Sequence, residues 1–174
     1  ATPAAPGSAA PAATAGLTAT LSAPAERAIA TGKDHVCALG VDGLVSCWGN
    51  GELGQLGHGR SDSSFERAVP VIGLAGVVSL SAGANHTCAL LADARVACWG
   101  EQEGGFGDGS GDPSSLPVEV RAFRGARAVA AGDRMTCAVM PNGTVSCSGA
   151  ALFESHERLA ARTAGRGLGA RTIS

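Results

Sequence analysis

The chain has 174 residues, a formal net charge of −2, 26 glycines, 8 prolines, no tyrosine, 2 tryptophans and 4 phenylalanines. That composition has no global basic signature for nucleic acid, no stretch apolar and long enough to span a bilayer as a helix, and too much glycine for a mostly helical protein. It fits many short strands joined by glycine turns.

Residues 1–22 are rich in alanine, proline, glycine and threonine. They lack the apolar side chains to bury a core and read as a flexible linker. Residues 23–149 carry a repeat. His-x-Cys-Ala-Leu followed by Val-x-Cys-Trp-Gly runs from His35 to Gly49 and again from His86 to Gly100, and a decayed copy runs from Met135 to Gly149. Cys37 and Cys88 are 51 residues apart, and Cys88 and Cys137 are 49. A repeat of about 50 residues with strand patterning and a Trp-Gly signature points to a propeller blade.

Each copy predicts a cysteine hairpin. In the first, a three-residue loop Val41-Asp42-Gly43 pairs Leu39 with Val45 and Cys37 with Cys47, with Gly43 left-handed. Pro141-Asn142-Gly143 plays the same part in the third copy. The second has Ala92-Asp93-Ala94, so a non-glycine residue must bear the conformational cost there. Opposed cysteines on antiparallel strands lie about 4.5–5.5 Å apart at Cα, within disulfide range. The expected bridges are Cys37–Cys47, Cys88–Cys98 and Cys137–Cys147, which imply an oxidising compartment: secreted, periplasmic or cell surface.

Ahead of each hairpin lies a short strand ending in glycine: Arg27–Gly32, Val77–Gly83 and Arg127–Gly132. Before two of these comes a proline-led strand, Val69–Ile72 and Leu116–Val120. Each full unit thus offers about four strands, as in a propeller blade. Residues 150–174 leave the pattern. Leu152, Phe153, His156, Leu159 and Ala160 fall on one face of a short helix. Residues 121–174 hold 8 basic and 3 acidic side chains against 5 and 12 in residues 1–120, and this basic end reads as a solvated face and tail.

The unit resembles the repeat of the regulator of chromosome condensation family. The carrying residues are His35–Leu39, Gly43–Asn50 and Gly54-Gln55-Leu56-Gly57, then His86–Leu90 and Val96–Gly100. The third copy keeps Cys137-Ala138-Val139 and Asn142–Cys147. The paired cysteines are similar to the bacterial, exported branch of that family. The resemblance implies an all-β, partial β-propeller of about two and a half repeats, where seven blades are usual. It also implies binding or regulatory roles, guanine-nucleotide exchange among them.

No catalytic, cofactor-binding or metal-binding residue is assigned. His35 and His86 stand two residues before a cysteine, but ten-residue cysteine spacing on a hairpin suits zinc poorly, and Met135 replaces the third histidine. No nucleophile–base pattern surrounds them. They read as packed near the blade centre with a ring nitrogen bonded to backbone, and Trp48 and Trp99 as packing residues. Gly49–Gly54 spells G-x-G-x-x-G, yet a loop follows where a dinucleotide site needs a helix. The expected function is a non-catalytic binding or scaffold module for a protein or glycan partner, with self-association through open blade edges. The alternatives are a polysaccharide-acting enzyme using carboxylates such as Glu52 and Glu103 beside His58 and Asp108, or a remnant of a longer propeller.

Overall fold

The computed structural model describes residues 26–101 and 112–149. The expected linker, the expected C-terminal tail and helix, and Glu103 and Asp108 lie outside them. The described residues form three antiparallel sheets and one 3-10 turn. Blade 1 holds β1 (Glu26–Thr31), β2 (His35–Gly40), β3 (Val45–Gly49) and β4 (Ser64–Pro70) in chain order. Blade 2 repeats this with β5 (Val77–Ala82), β6 (His86–Leu91), β7 (Val96–Gly100) and β8 (Ser114–Glu119). Blade 3 has β9 (Ala128–Ala131), β10 (Met135–Val139) and β11 (Val145–Gly149).

The central hairpin of each blade follows from its turn. Gly43 N–H donates to the Gly40 carbonyl at 3.0 Å and Gly40 N–H to the Leu44 carbonyl at 2.9 Å, which closes a three-residue loop. Gly43 has φ 78° and Gly143 φ 79°. Blade 2 makes the same turn with Ala94 at φ 64°, the non-glycine residue of positive φ among the described residues. The next position in the turn is held by the side chain before it: Asp42, Asp93 and Asn142 accept from the N–H of Leu44, Arg95 and Thr144. The register then pairs Leu39 with Val45 and Cys37 with Cys47, and likewise Cys88 with Cys98 and Cys137 with Cys147.

The proline-bearing strands belong elsewhere than their place in the sequence suggests. They were expected to open a unit. Instead β4 pairs with β3 and β8 with β7, so each closes the preceding blade as its outer strand. Strand β4 also starts at Ser64 and ends at Pro70. An edge strand tolerates proline because one of its rows of N–H groups has no partner strand.

The blades stack face on face through their inner strands, β1 on β5 and β5 on β9. One apolar cluster fills the first interface: Cys37, Leu39, Val45 and Cys47 from the rear of blade 1 meet Ala89, Ala97 and Trp99 from the front of blade 2. A second fills the next, where Cys88, Leu90, Val96 and Cys98 meet Val129 and Ala138, with Val120, Phe123 and Ala126. Because blade 2 is covered on both faces, all six residues of β6 are buried. Apolar burial at both faces is the chief stabilising term for such a stack.

Candidate interaction surface

Each hairpin carries a disulfide: Cys37–Cys47, Cys88–Cys98 and Cys137–Cys147, with Cα atoms 4.1, 4.1 and 4.0 Å apart. These pairs take the close, non-hydrogen-bonded position of the antiparallel ladder. Cys37, Cys47, Cys88 and Cys98 have no exposed surface, whereas Cys137 and Cys147 are half-buried.

The two blade histidines act between blades. His35 Nε2 lies 2.8 Å from Thr87 Oγ1, and His86 Nε2 lies 2.9 Å from Thr136 Oγ1. A side-chain partner in the next blade replaces the backbone partner that a single repeat suggested. With the proton on His35 Nε2 a relay forms: His35 donates to Thr87, Thr87 donates to the Gln55 carbonyl at 3.4 Å, and Trp99 Nε1 donates to the same carbonyl at 2.8 Å. Gln55 sits in the glycine loop of blade 1, so that loop clamps the front of blade 2. Burial pushes both histidines down to about 4, with a neighbouring aspartate opposing the shift and His35 adding to it at His86. Both rings are therefore neutral at pH 7.

Glycine completes the lock. A Cβ on Gly83 would stand 2.2 Å from the Gly132 carbonyl oxygen and 2.3 Å from His86 Cε1, and one on Gly32 would stand 2.6 Å from the Gly83 oxygen and 2.1 Å from His35 Cε1. Gly49, in the Trp-Gly signature, has φ 109° and would put a Cβ 2.5 Å from the Asp34 oxygen. Backbone approaches backbone at these points, which only glycine permits.

The other candidates sit on the two rims. On the rim of the glycine loops, His58 is buried with Nε2 2.6 Å from Asp62 Oδ1, and Glu52 is exposed. Residues 50–59 form turns rather than a helix, so Gly49–Gly54 lacks the N-terminus that a dinucleotide site requires. Among the described residues no three His, Cys, Asp or Glu side chains converge on a metal-sized site, and no helix is long and apolar enough to cross a membrane. On the opposite rim, that of the hairpin turns, Val41 and Leu44 are 64% and 53% exposed. A charged group missed by the motif reading stands at the same end of blade 2: Arg95 pairs with Asp93 at 2.7 Å and with Glu119 at 3.7 Å, and Arg124 also binds Glu119. The arginines hold the Asp93 and Glu119 carboxyls below their usual range. Its signal was faint, because Glu119 and Arg124 reach the hairpin only through the pairing of β8 with β7.

The profile of the regulator of chromosome condensation (RCC1) repeat matches residues 42–90, and a second profile of the same repeat matches 27–55 and 77–107. The ultraviolet-B receptor UVR8 of Arabidopsis thaliana is 34% identical over 103 residues, 57% of this chain and 23% of the receptor. The guanine nucleotide exchange factor SRM1 of Saccharomyces cerevisiae is 35% identical over 74 residues, 41% of this chain and 15% of the factor. Yeast RCC1 (Prp20), solved with Kap60 bound, superposes with a TM-score of 0.60 at 28% identity, covering 75% of this chain and 31% of that one. The chain thus spans under a third of each of these proteins. With antiparallel blades, a matching repeat profile and a superposable relative, residues 27–107 are repeats of the regulator of chromosome condensation family.

Proposed function

We propose that this chain is an exported, non-catalytic binding module that engages a protein partner on the rim of its hairpin turns. The observation that carries this reading is how the reactive side chains are spent. Both blade histidines are buried against threonines, and all six cysteines are bridged. What the hairpin-turn rim presents is apolar and charged groups, Val41 and Leu44 on blade 1 and Asp93, Arg95, Glu119 and Arg124 on blade 2. Loops held by a stapled scaffold suit recognition. Export is supported by the three bridges, which persist in oxidising compartments. A relative solved with a protein partner adds support.

The test is site-specific photo-crosslinking of the whole chain in an oxidising host compartment. A probe at Leu44, in the β2–β3 turn, is expected to form a protein adduct that Arg124→Glu removes. A probe at Lys33, at the other end of β2, is expected to form none. Equal adducts at both positions, or none at either, would overturn the reading. An adduct destroyed by a glycosidase but not a protease would replace the protein partner by a glycan.

A further inference from the structure

The connectors that lead from blade 1 to blade 2 and from blade 2 to blade 3 follow one plan. Val71 N–H donates to the Val45 carbonyl at 2.9 Å, and Val120 N–H donates to the Val96 carbonyl at 2.9 Å. Three residues on, Leu74 and Phe123 are buried. Two further on, Gly76 and Gly125 both have positive φ, at 69° and 85°. The side chains between these fixed points differ. Arg121, Arg124 and Arg127 stand where the first connector and its strand have Ile72, Ala75 and Val78. Arg27 of blade 1 repeats only the last of them. The fold is therefore made equally well without these arginines, and neither backbone nor core requires them.

The second connector is tied to the hairpin-turn ends of two blades. Gly125 N–H donates to the Ala94 carbonyl in the turn of blade 2, and Arg127 N–H to the Val139 carbonyl in blade 3, both at 2.8 Å. A Cβ on Gly125 would lie 3.5 Å from Pro141 Cγ in the turn of blade 3. Arg121, Arg124 and Arg127 are all exposed. Arg124 Nε donates to Glu119 Oε1 at 3.0 Å, and Arg95 pairs with Glu119 and Asp93. Those two carboxylates thus occupy Arg124 and Arg95. Arg121 and Arg127 form no ion pair with any described residue. The surface carries this positive excess although the chain as a whole has a net charge of −2.

We infer that the partner of the hairpin-turn rim is a protein that presents an acidic segment to this connector, with its carboxylates meeting Arg121, Arg124 and Arg127. The inference rests on the binding role proposed above and adds the chemistry of what is bound. Guanidinium forks match carboxylates bidentately. The two embedded acids select among anions. A chain of evenly spaced phosphates would pass over Glu119 and Asp93 as well as the arginines, and like charges brought together oppose binding. A polypeptide can set acidic side chains against the arginines and neutral ones against the carboxylates.

Binding is read by fluorescence anisotropy on the oxidised full chain, with a fluorescein-labelled peptide of alternating glutamate and serine. Saturable binding that weakens with added salt is expected, and none to a peptide of alternating lysine and serine. Arg121→Gln with Arg127→Gln is expected to weaken binding at least about threefold. Both side chains are exposed, so the fold should persist, as circular dichroism checks. The matching pair of lysine variants should retain most of the affinity, and Arg121→Glu with Arg127→Glu should transfer binding to the lysine peptide. Arg67→Gln, on exposed strand β4 of blade 1, should change nothing. No saturable binding, equal weakening by Arg67→Gln, or tighter binding of a single-stranded oligonucleotide or phosphatidylserine vesicles would each overturn the inference. The Leu44 crosslink separates the two proposals. An adduct without peptide binding overturns the acidic chemistry and keeps the protein-binding role. Peptide binding without an adduct does the reverse.

Discussion

Ala94 and Gly83 show opposite ways in which one atom matters. Ala94 takes the left-handed turn position, φ 64°, that Gly43 and Gly143 hold in the other blades. An L-residue there costs roughly 1–2 kcal/mol, part of which glycine gives back as unfolded-chain entropy. Ala94→Gly is expected to stabilise the protein by about 0.5–1 kcal/mol, read as a higher urea midpoint at unchanged slope. Gly83→Ala is the reverse case. Its methyl would collide with the Gly132 carbonyl and the His86 ring, and overpacking against backbone costs about 1–3 kcal/mol or more. The turn expectation was legible because a three-residue loop is a local code. The carbonyl over Gly83 comes from a residue 49 positions away, and no single repeat contains it.

At the scale of elements, the hairpins and the locks between them respond to different conditions. Both buried histidines have pKa values pushed down to about 4 from an ordinary 6.5. The unfolded chain therefore binds these protons first as pH falls. The histidine contribution to stability is complete above about pH 6.5, declines between about 6.5 and 4, and levels off below, at a slope of up to about 1.4 kcal/mol per pH unit for each histidine. Thr87→Val and Thr136→Val should lower stability at pH 7 while leaving the hairpins bridged. Thermal melts between pH 4 and 7.5 check the sign, and a flat profile would remove the histidines from the account. The bridges differ in access. Cys137–Cys147 is half-buried, and the other two are sealed between blades. Mild reductant with alkylation at neutral pH is expected to label Cys137 and Cys147 first, because a thiolate must reach sulfur to attack it.

Across the described residues, stability is that of a stack in which blade 1 packs on blade 2 and blade 2 on blade 3. Such an array gains from each interface its blades share. The interfaces between the described blades are filled by Trp99 and Phe123, while Ile29 is exposed and Trp48 half-exposed.

What the sequence determined by itself was the blade hairpin: its turn, its register and the facing of its cysteines. Each depends on residues within about fifteen positions of one another, so alternation and turn chemistry specify them. The all-β class followed from the same local signals repeated at a spacing near 50 residues. Tertiary structure alone decided which sheet the proline strands close, because β4 and β8 pair backward across loops with no period of their own. It also decided what the histidines do. Their threonines stand 52 and 50 residues away, and only the stacking of one blade on the next brings ring and hydroxyl together.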